Sequence, residues 1–95
     1  MKIKLNQFIP MGNVVATPGA IEAINTSGDS YAFYLNKHRS CDWGEVDDED
    51  WAANNESVKE GTRVLSAYTI KGGTKIWIIT EADRSVTTIL LPDEY

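Results

Sequence analysis

The stretch RVLSAYTIKGGTKIWIITEADRSVTTILL, residues 63–91, limits the fold more than any other part of the chain. Its three runs, 63–70, 75–80 and 86–91, are rich in β-branched and aromatic residues, which pack well on a pleated surface. Gly72-Gly73 between the first two is a hairpin signal, because two-residue turns need positive φ. The pattern predicts a three-stranded antiparallel β-meander. With Gly72-Gly73 as the whole loop, Lys71 faces Thr74 and Tyr68 faces Trp77. One sheet face then carries Val64, Tyr68, Ile70, Trp77, Ile79 and Ile89, and the other Leu65, Ala67, Ile76, Ile78, Val86 and Leu90. Both faces are apolar, so each needs a cover.

Upstream the period changes to that of helices. Thr17-Pro18 is a helix start, since the Thr hydroxyl accepts an orphan backbone N–H and Pro at the first helical position has none to offer. About eight residues follow, with Ile21, Ala23 and Ile24 inward, ending near Ser27-Gly28. Asp29 is the expected cap of a second helix, YAFYLNKH, in which Tyr31, Phe33, Tyr34 and Leu35 supply apolar surface. Lys37, His38 and Arg39 fall in its last turn, where positive charge meets the negative end of the helix dipole. A third helix is expected over 48–59, with Trp51, Ala52, Asn55 and Val58 on one face and Gly61 as its stop. Residues 2–8 alternate like a short strand, and Asn13-Val-Val-Ala reads as another. The expected domain is therefore α+β: three short N-terminal helices on a C-terminal three-stranded antiparallel meander, with room for an N-terminal strand to extend it. Residues 1–12 are read as an N-terminal extension or strand, and 13–95 as a single domain.

Ninety-five residues suffice for one such domain, which buries about 60–65% of the surface its unfolded chain exposes. Hydrophobic residues at 42% and charged ones at 24% are globular values, which set disorder aside. No apolar run approaches the roughly 20 residues of a membrane span. MKIKLNQFIP lacks the apolar centre of a signal peptide, so a cytoplasmic location is expected. The single Cys41 agrees with a reducing compartment and reads as a small semi-buried side chain. No cofactor and no metal is expected: there is no zinc spacing, no second His, and no calcium-loop order of acidic residues.

Net charge is −5, and seven of the fourteen acidic residues lie within fifteen positions: Asp42, Glu45, Asp47, Asp48, Glu49, Asp50 and Glu56. Carboxylates at the start of a helix suit its dipole, which explains much of this lobe. The remainder suggests a protein partner with a basic surface. The nine basic residues are scattered, so nucleic acid is disfavoured. The loop Glu81-Ala-Asp-Arg-Ser85 is the second candidate. Its Asp is able to bond backbone two residues on, and Arg84 to pair with Glu81. The predicted partner-binding residues are Asp42, Glu45, Asp47, Asp48, Asp50, Glu81, Asp83 and Arg84. In an alternative reading Arg63, Arg84, Thr87 and Thr88, with Thr80, gather at one end of the sheet to hold an anion. Three helices offer about enough apolar surface for one sheet face. The other is left to the first dozen residues or to a second subunit, and a homodimer through a face or edge of the sheet is expected.

"VVATPGAIEAI", "DWGEVDDED" and "RVLSAYTIKGGTKIWIITEADRSVTTILLPDEY" resemble small single-domain bacterial proteins of plasmids, integrated mobile elements and integron gene cassettes. The resemblance covers about residues 13–95 and implies an accessory role in mobile DNA biology. The order of helices followed by "KIWIIT", a loop and "TTILLP" is also similar to that of the barnase/colicin/RelE-like ribonucleases. That second resemblance implies an RNA-cleaving, toxin-like endoribonuclease working through Arg63, Arg84, Thr87 and Thr88, in place of a non-enzymatic binding module.

Overall fold

The computed structural model describes residues 1–95 as β1 (Asn13–Ala16), α1 (Pro18–Ser27), α2 (Tyr31–Arg39), α3 (Asp48–Glu60), β2 (Val64–Thr69), β3 (Lys75–Thr80), β4 (Val86–Leu90) and a closing 3-10 turn, Pro92–Glu94. Capping chemistry fixes the helices. Thr17 accepts from the Ala20 N–H, and Gly28 ends α1 in the left-handed region at φ +70°. A second α1 cap arrives from the other end of the chain. The Glu94 carboxylate accepts from the Thr17 hydroxyl at 2.5 Å and the Gly19 N–H at 3.2 Å, placing an anion at the positive end of the helix. Asp47 caps α3 by accepting from the Asp50 N–H at 2.8 Å. Ser30, not Asp29, is the N-cap of α2. Asp29 instead ties α2 to the β2–β3 hairpin, accepting from the Tyr34 hydroxyl at 2.6 Å and the Lys71 N–H at 2.8 Å.

The sheet has four strands in the order β1-β4-β3-β2, with β1 parallel to β4 and the other pairs antiparallel. The expected meander is present, but the sheet is mixed because Asn13–Ala16 joins it. Residues 2–8 form no strand. They run as a strap: Ile3 O accepts from Trp51 Nε1 at 2.9 Å, and the Ile9 N–H donates to Arg39 O at 2.9 Å.

The β2–β3 register differs from expectation by one residue. Tyr68 faces Ile76 and Ala67 faces Trp77. Ile70 N–H bonds Thr74 O and Gly73 N–H bonds Ile70 O, so the loop is Lys71-Gly72-Gly73, with φ of +88° and +90° at its two glycines. Side chains alternate with period two, so this slip carries all of β3 to the opposite face. Ile76 and Ile78 join Tyr68, Ile70 and Ile89 under α1 and α2, where Ala20, Ile24 and Tyr34 complete one core cluster. Ile21, expected inward, is 41% exposed.

A second cluster of Ile9, Cys41, Trp43, Val46, Trp51, Val64 and Ala67 wraps the β2 edge. On the sheet face away from α1 and α2, Ile79 and Leu90 are buried. There Trp77 meets the Tyr95 ring edge-on at 5.8 Å, and the Arg63 guanidinium lies over the same ring at 5.4 Å. The C-terminal turn thus contributes cover that the sequence reading assigned to the first dozen residues or a second subunit.

Candidate functional site

The acidic lobe is built on the loop from α2 into α3 and on the first turn of α3. Most of its carboxylates hold structure as well as charge. Asp42 accepts from the Gly44 N–H at 3.2 Å and lies 3.8 Å from Lys37 Nζ. Glu45 accepts from both the Thr69 N–H and the Thr69 hydroxyl at 2.9 Å, with Lys75 Nζ at 3.8 Å. Asp47 is the α3 cap. Asp48 meets the Met1 amine at 2.9 Å; that bond, and the positive charge behind it, hold its carboxyl below the usual range. Glu49 and Asp50 have no ion-pair partner. Asp47 to Asp50 are all exposed, forming one continuous run of negative charge.

The 81–85 loop is satisfied partly within itself and partly by the end of α3. Asp83 accepts from the Ser85 N–H at 3.0 Å and the Ser85 hydroxyl at 2.6 Å, which lowers its carboxyl pKa. Arg84 has φ +62°, a conformation that side chains bearing a Cβ rarely adopt. Its strain is offset by three bonds: the guanidinium donates to Thr62 O at 2.7 Å, Glu81 O at 3.1 Å and Ser57 O at 3.2 Å. It therefore sits at the negative end of α3, bonded to carbonyls, and its bond to Glu81 is to the backbone and not to the carboxylate.

Arg63, Thr87 and Thr88 do not converge with it. Thr87 and Thr88 are adjacent in β4 and so point to opposite faces, and Thr87 is fully buried. Arg63 donates to the Tyr95 hydroxyl.

Thr87 belongs instead to a buried polar chain. His38 Nδ1 lies 2.6 Å from Ser66 Oγ, His38 Nε2 2.8 Å from Thr80 Oγ1, Thr80 Oγ1 2.7 Å from Thr87 Oγ1, and Thr87 Oγ1 2.8 Å from Met11 O. A carbonyl only accepts, so three directions follow from the last bond. Thr87 donates to Met11, Thr80 donates to Thr87, and His38 donates from Nε2 to Thr80. With the ring neutral, Nδ1 accepts from Ser66. Burial, with the Arg84 charge as a smaller cause, pushes the His38 pKa down to about 3. His38 is thus a buried neutral link and not the exposed cation of a helix end that its sequence position suggests. No solvent reaches it, since it is 0% exposed. No buried side-chain polar atom anywhere lacks a partner.

The two edges of the sheet differ. At β2, Asn54 accepts from the Leu65 N–H at 3.1 Å and donates to Leu65 O at 2.7 Å. The Ala67 N–H donates to Trp43 O and the Glu45 N–H to Ala67 O, at 3.2 and 2.7 Å. Glu45 then takes the Thr69 N–H, and the edge is sealed. At β1, the Asn13 N–H donates to Ser85 O and the Thr17 N–H to Ile89 O, both at 3.0 Å. In a parallel ladder this phase turns the N–H and C=O of Val14 and Ala16 away from β4. No backbone or side-chain group meets them. Val14 and Val15 are 42% and 47% exposed.

Compared with protein-family models, curated proteins and solved structures, the chain finds no match in any of the three. The acidic lobe and the 81–85 loop are legible in the sequence, whereas the His38 chain and both edges are not. One signal was within reach: Leu5 to Ile21 contains no charged residue in a chain that is 24% charged, and β1 lies inside that interval.

Proposed function

We propose that the chain is a non-enzymatic protein-binding module that presents the exposed carboxylates Asp47 to Asp50, flanked by Asp42 and Glu45, to a basic surface on a partner protein. The observation that carries this reading is the excess of negative charge on one exposed helix start: four carboxylates, with only the Met1 amine paired to them. The groups that catalysis would need are occupied elsewhere, with Arg84 on carbonyls, His38 and Thr87 inside the core, and Arg63 on Tyr95. An accessory role for a mobile element, which the sequence resemblance implies, is compatible with such a module and supplies no further residue.

The test is capture of partners from cell extract on immobilised protein at low and raised salt. Charge-steered contacts weaken with ionic strength. The Asp48→Asn/Asp50→Asn double variant should lose the salt-sensitive partner while melting within a few degrees of wild type. Equal capture by both proteins would contradict the reading, as would cleavage of RNA by the purified wild type that is lost in Arg63→Ala.

A further inference from the structure

We propose that β1 is a self-association edge, at which a second copy of this chain pairs antiparallel across a two-fold axis. This inference goes beyond the acidic-surface reading and does not depend on it. The open groups of β1 are spaced for self-pairing. If Val14 of one protomer faces Ala16 of its partner, each such pair exchanges two N–H···O bonds, and the two-fold repeats them, giving four in all. Val15 then faces its own symmetry mate as a non-hydrogen-bonded pair, the closer kind, in which branched apolar side chains touch. Pairing two residues further along, the next register that keeps the outward groups opposite one another, would place Pro18, which has no N–H, opposite Val14.

Charge selects the occupant. The chain carries −5, so two copies repel wherever their acidic surfaces approach. The strip from Leu5 to Ile21 is the long uncharged interval, and it ends at Glu22. A basic partner finds nothing to hold there, whereas a second copy meets no like charge. Natural edge strands are commonly guarded by lysine, proline or a bulge, and Asn13–Ala16 has none of these.

The resulting sheet would run β2-β3-β4-β1 and onward through the partner in reverse. Its two sealed β2 edges, each beside an acidic lobe, lie at the outer ends, seven strand spacings or about 34 Å apart. The dimer would therefore be bivalent, and a partner with two basic sites would gain from linked binding.

Light scattering should give about twice the 10.6 kDa protomer mass at high micromolar concentration. Val15→Lys and Val15→Glu should each run as folded monomers, since the site is half exposed in the protomer. An equimolar mixture of the two should regain the dimer mass, because each lysine then faces a glutamate. A monomeric wild type, a dimeric Val15→Lys, or a mixture that stays monomeric would each overturn the proposal. Should either variant lose its circular-dichroism signature, wild-type amide exchange decides. Protection of Val14 and Ala16 should rise with protein concentration, and protection independent of concentration overturns the assignment.

Discussion

The two edges of one four-stranded sheet have been finished in opposite ways. At β2 each outward backbone group of Leu65 and Ala67 has a partner, and so does the Thr69 N–H. The loop supplying the partners of Ala67 and Thr69 also carries Trp43 into the core at 0% exposure. At β1 the groups of Val14 and Ala16 face outward beside two exposed valines. An unpaired edge is a template for another strand, so proteins normally protect both. Here a large share of the chain, from the 41–47 loop through α3, is spent on one edge while the other is left bare. The sealed edge is therefore a structural element, and the open edge is where association is available.

The largest effect should come from the aromatic anchors of the sealed edge. Trp43 donates from Nε1 to Asn55 and Trp51 to Ile3 O, so each joins a loop or strap to α3. Trp43→Ala or Trp51→Ala should cost about 3–5 kcal/mol in chemical denaturation, the range for a large aromatic removed from a core. A loss below 1 kcal/mol for both would mean that this edge is not anchored as described. Asn54→Ala should cost about 2–3 kcal/mol, since it orphans the Leu65 N–H and C=O together. It should also make the protein prone to aggregate, whereas Val14→Ala at the open edge should do neither.

The His38 chain makes the stability of the fold depend on pH. Its folded pKa of about 3 lies below the ordinary 6.5. Above pH 6.5 the ring is neutral in both folded and unfolded chains, and the contribution of the buried chain is fully present. Below that, the unfolded chain takes up a proton that the folded one refuses, so stability falls as pH drops from 6.5 toward 3. Between pH 6.5 and 5 the loss should be about 1.5–2 kcal/mol, at about 1.4 kcal/mol per unit once the unfolded ring is protonated. His38→Gln should flatten that slope. Asp29 and Glu94, whose carboxyls are lowered chiefly by the Tyr34 and Thr17 hydroxyls, add stability above the carboxylate range that is lost only at lower pH. Denaturation series on wild type and variant between pH 5 and 7 therefore isolate the histidine. The smallest effect belongs to Asp48→Asn/Asp50→Asn, whose denaturation midpoint should stay close to that of wild type, as expected for exposed charges away from the core.

Helix limits were legible because their signals are local: Thr17-Pro18, Asp47, Gly28 and Gly61 each act within one turn of their own position. Both β2–β3 faces are apolar, so hydrophobic pattern alone did not choose between a two-residue and a three-residue loop at Lys71-Gly72-Gly73. The parallel partnership of β1 with β4 joins residues more than seventy positions apart, and nothing near Asn13 announces it. Glu94 caps α1 from seventy-five residues away. His38 looked like a helix-end cation because its partners Ser66 and Thr80, and Thr87 beyond them, come from three different strands. Of the candidate site, the acidic charges were legible in place, while their structural duties were not. Arg84 is the clearest case, a side chain that reads as free in sequence and is committed to three carbonyls in the fold.

The contrast between the edges is tested most directly by amide hydrogen exchange on the wild type at the lowest workable concentration, where association is absent. Leu65, Ala67 and Thr69 should exchange slowly, because their N–H groups are held by Asn54, Trp43 and Glu45. Val14 and Ala16 should exchange near the rate of an unstructured chain, although their neighbour Val15 is protected in the β1–β4 ladder. Slow exchange at Val14 and Ala16 in the dilute protomer, or fast exchange at Leu65 and Ala67, would contradict the account.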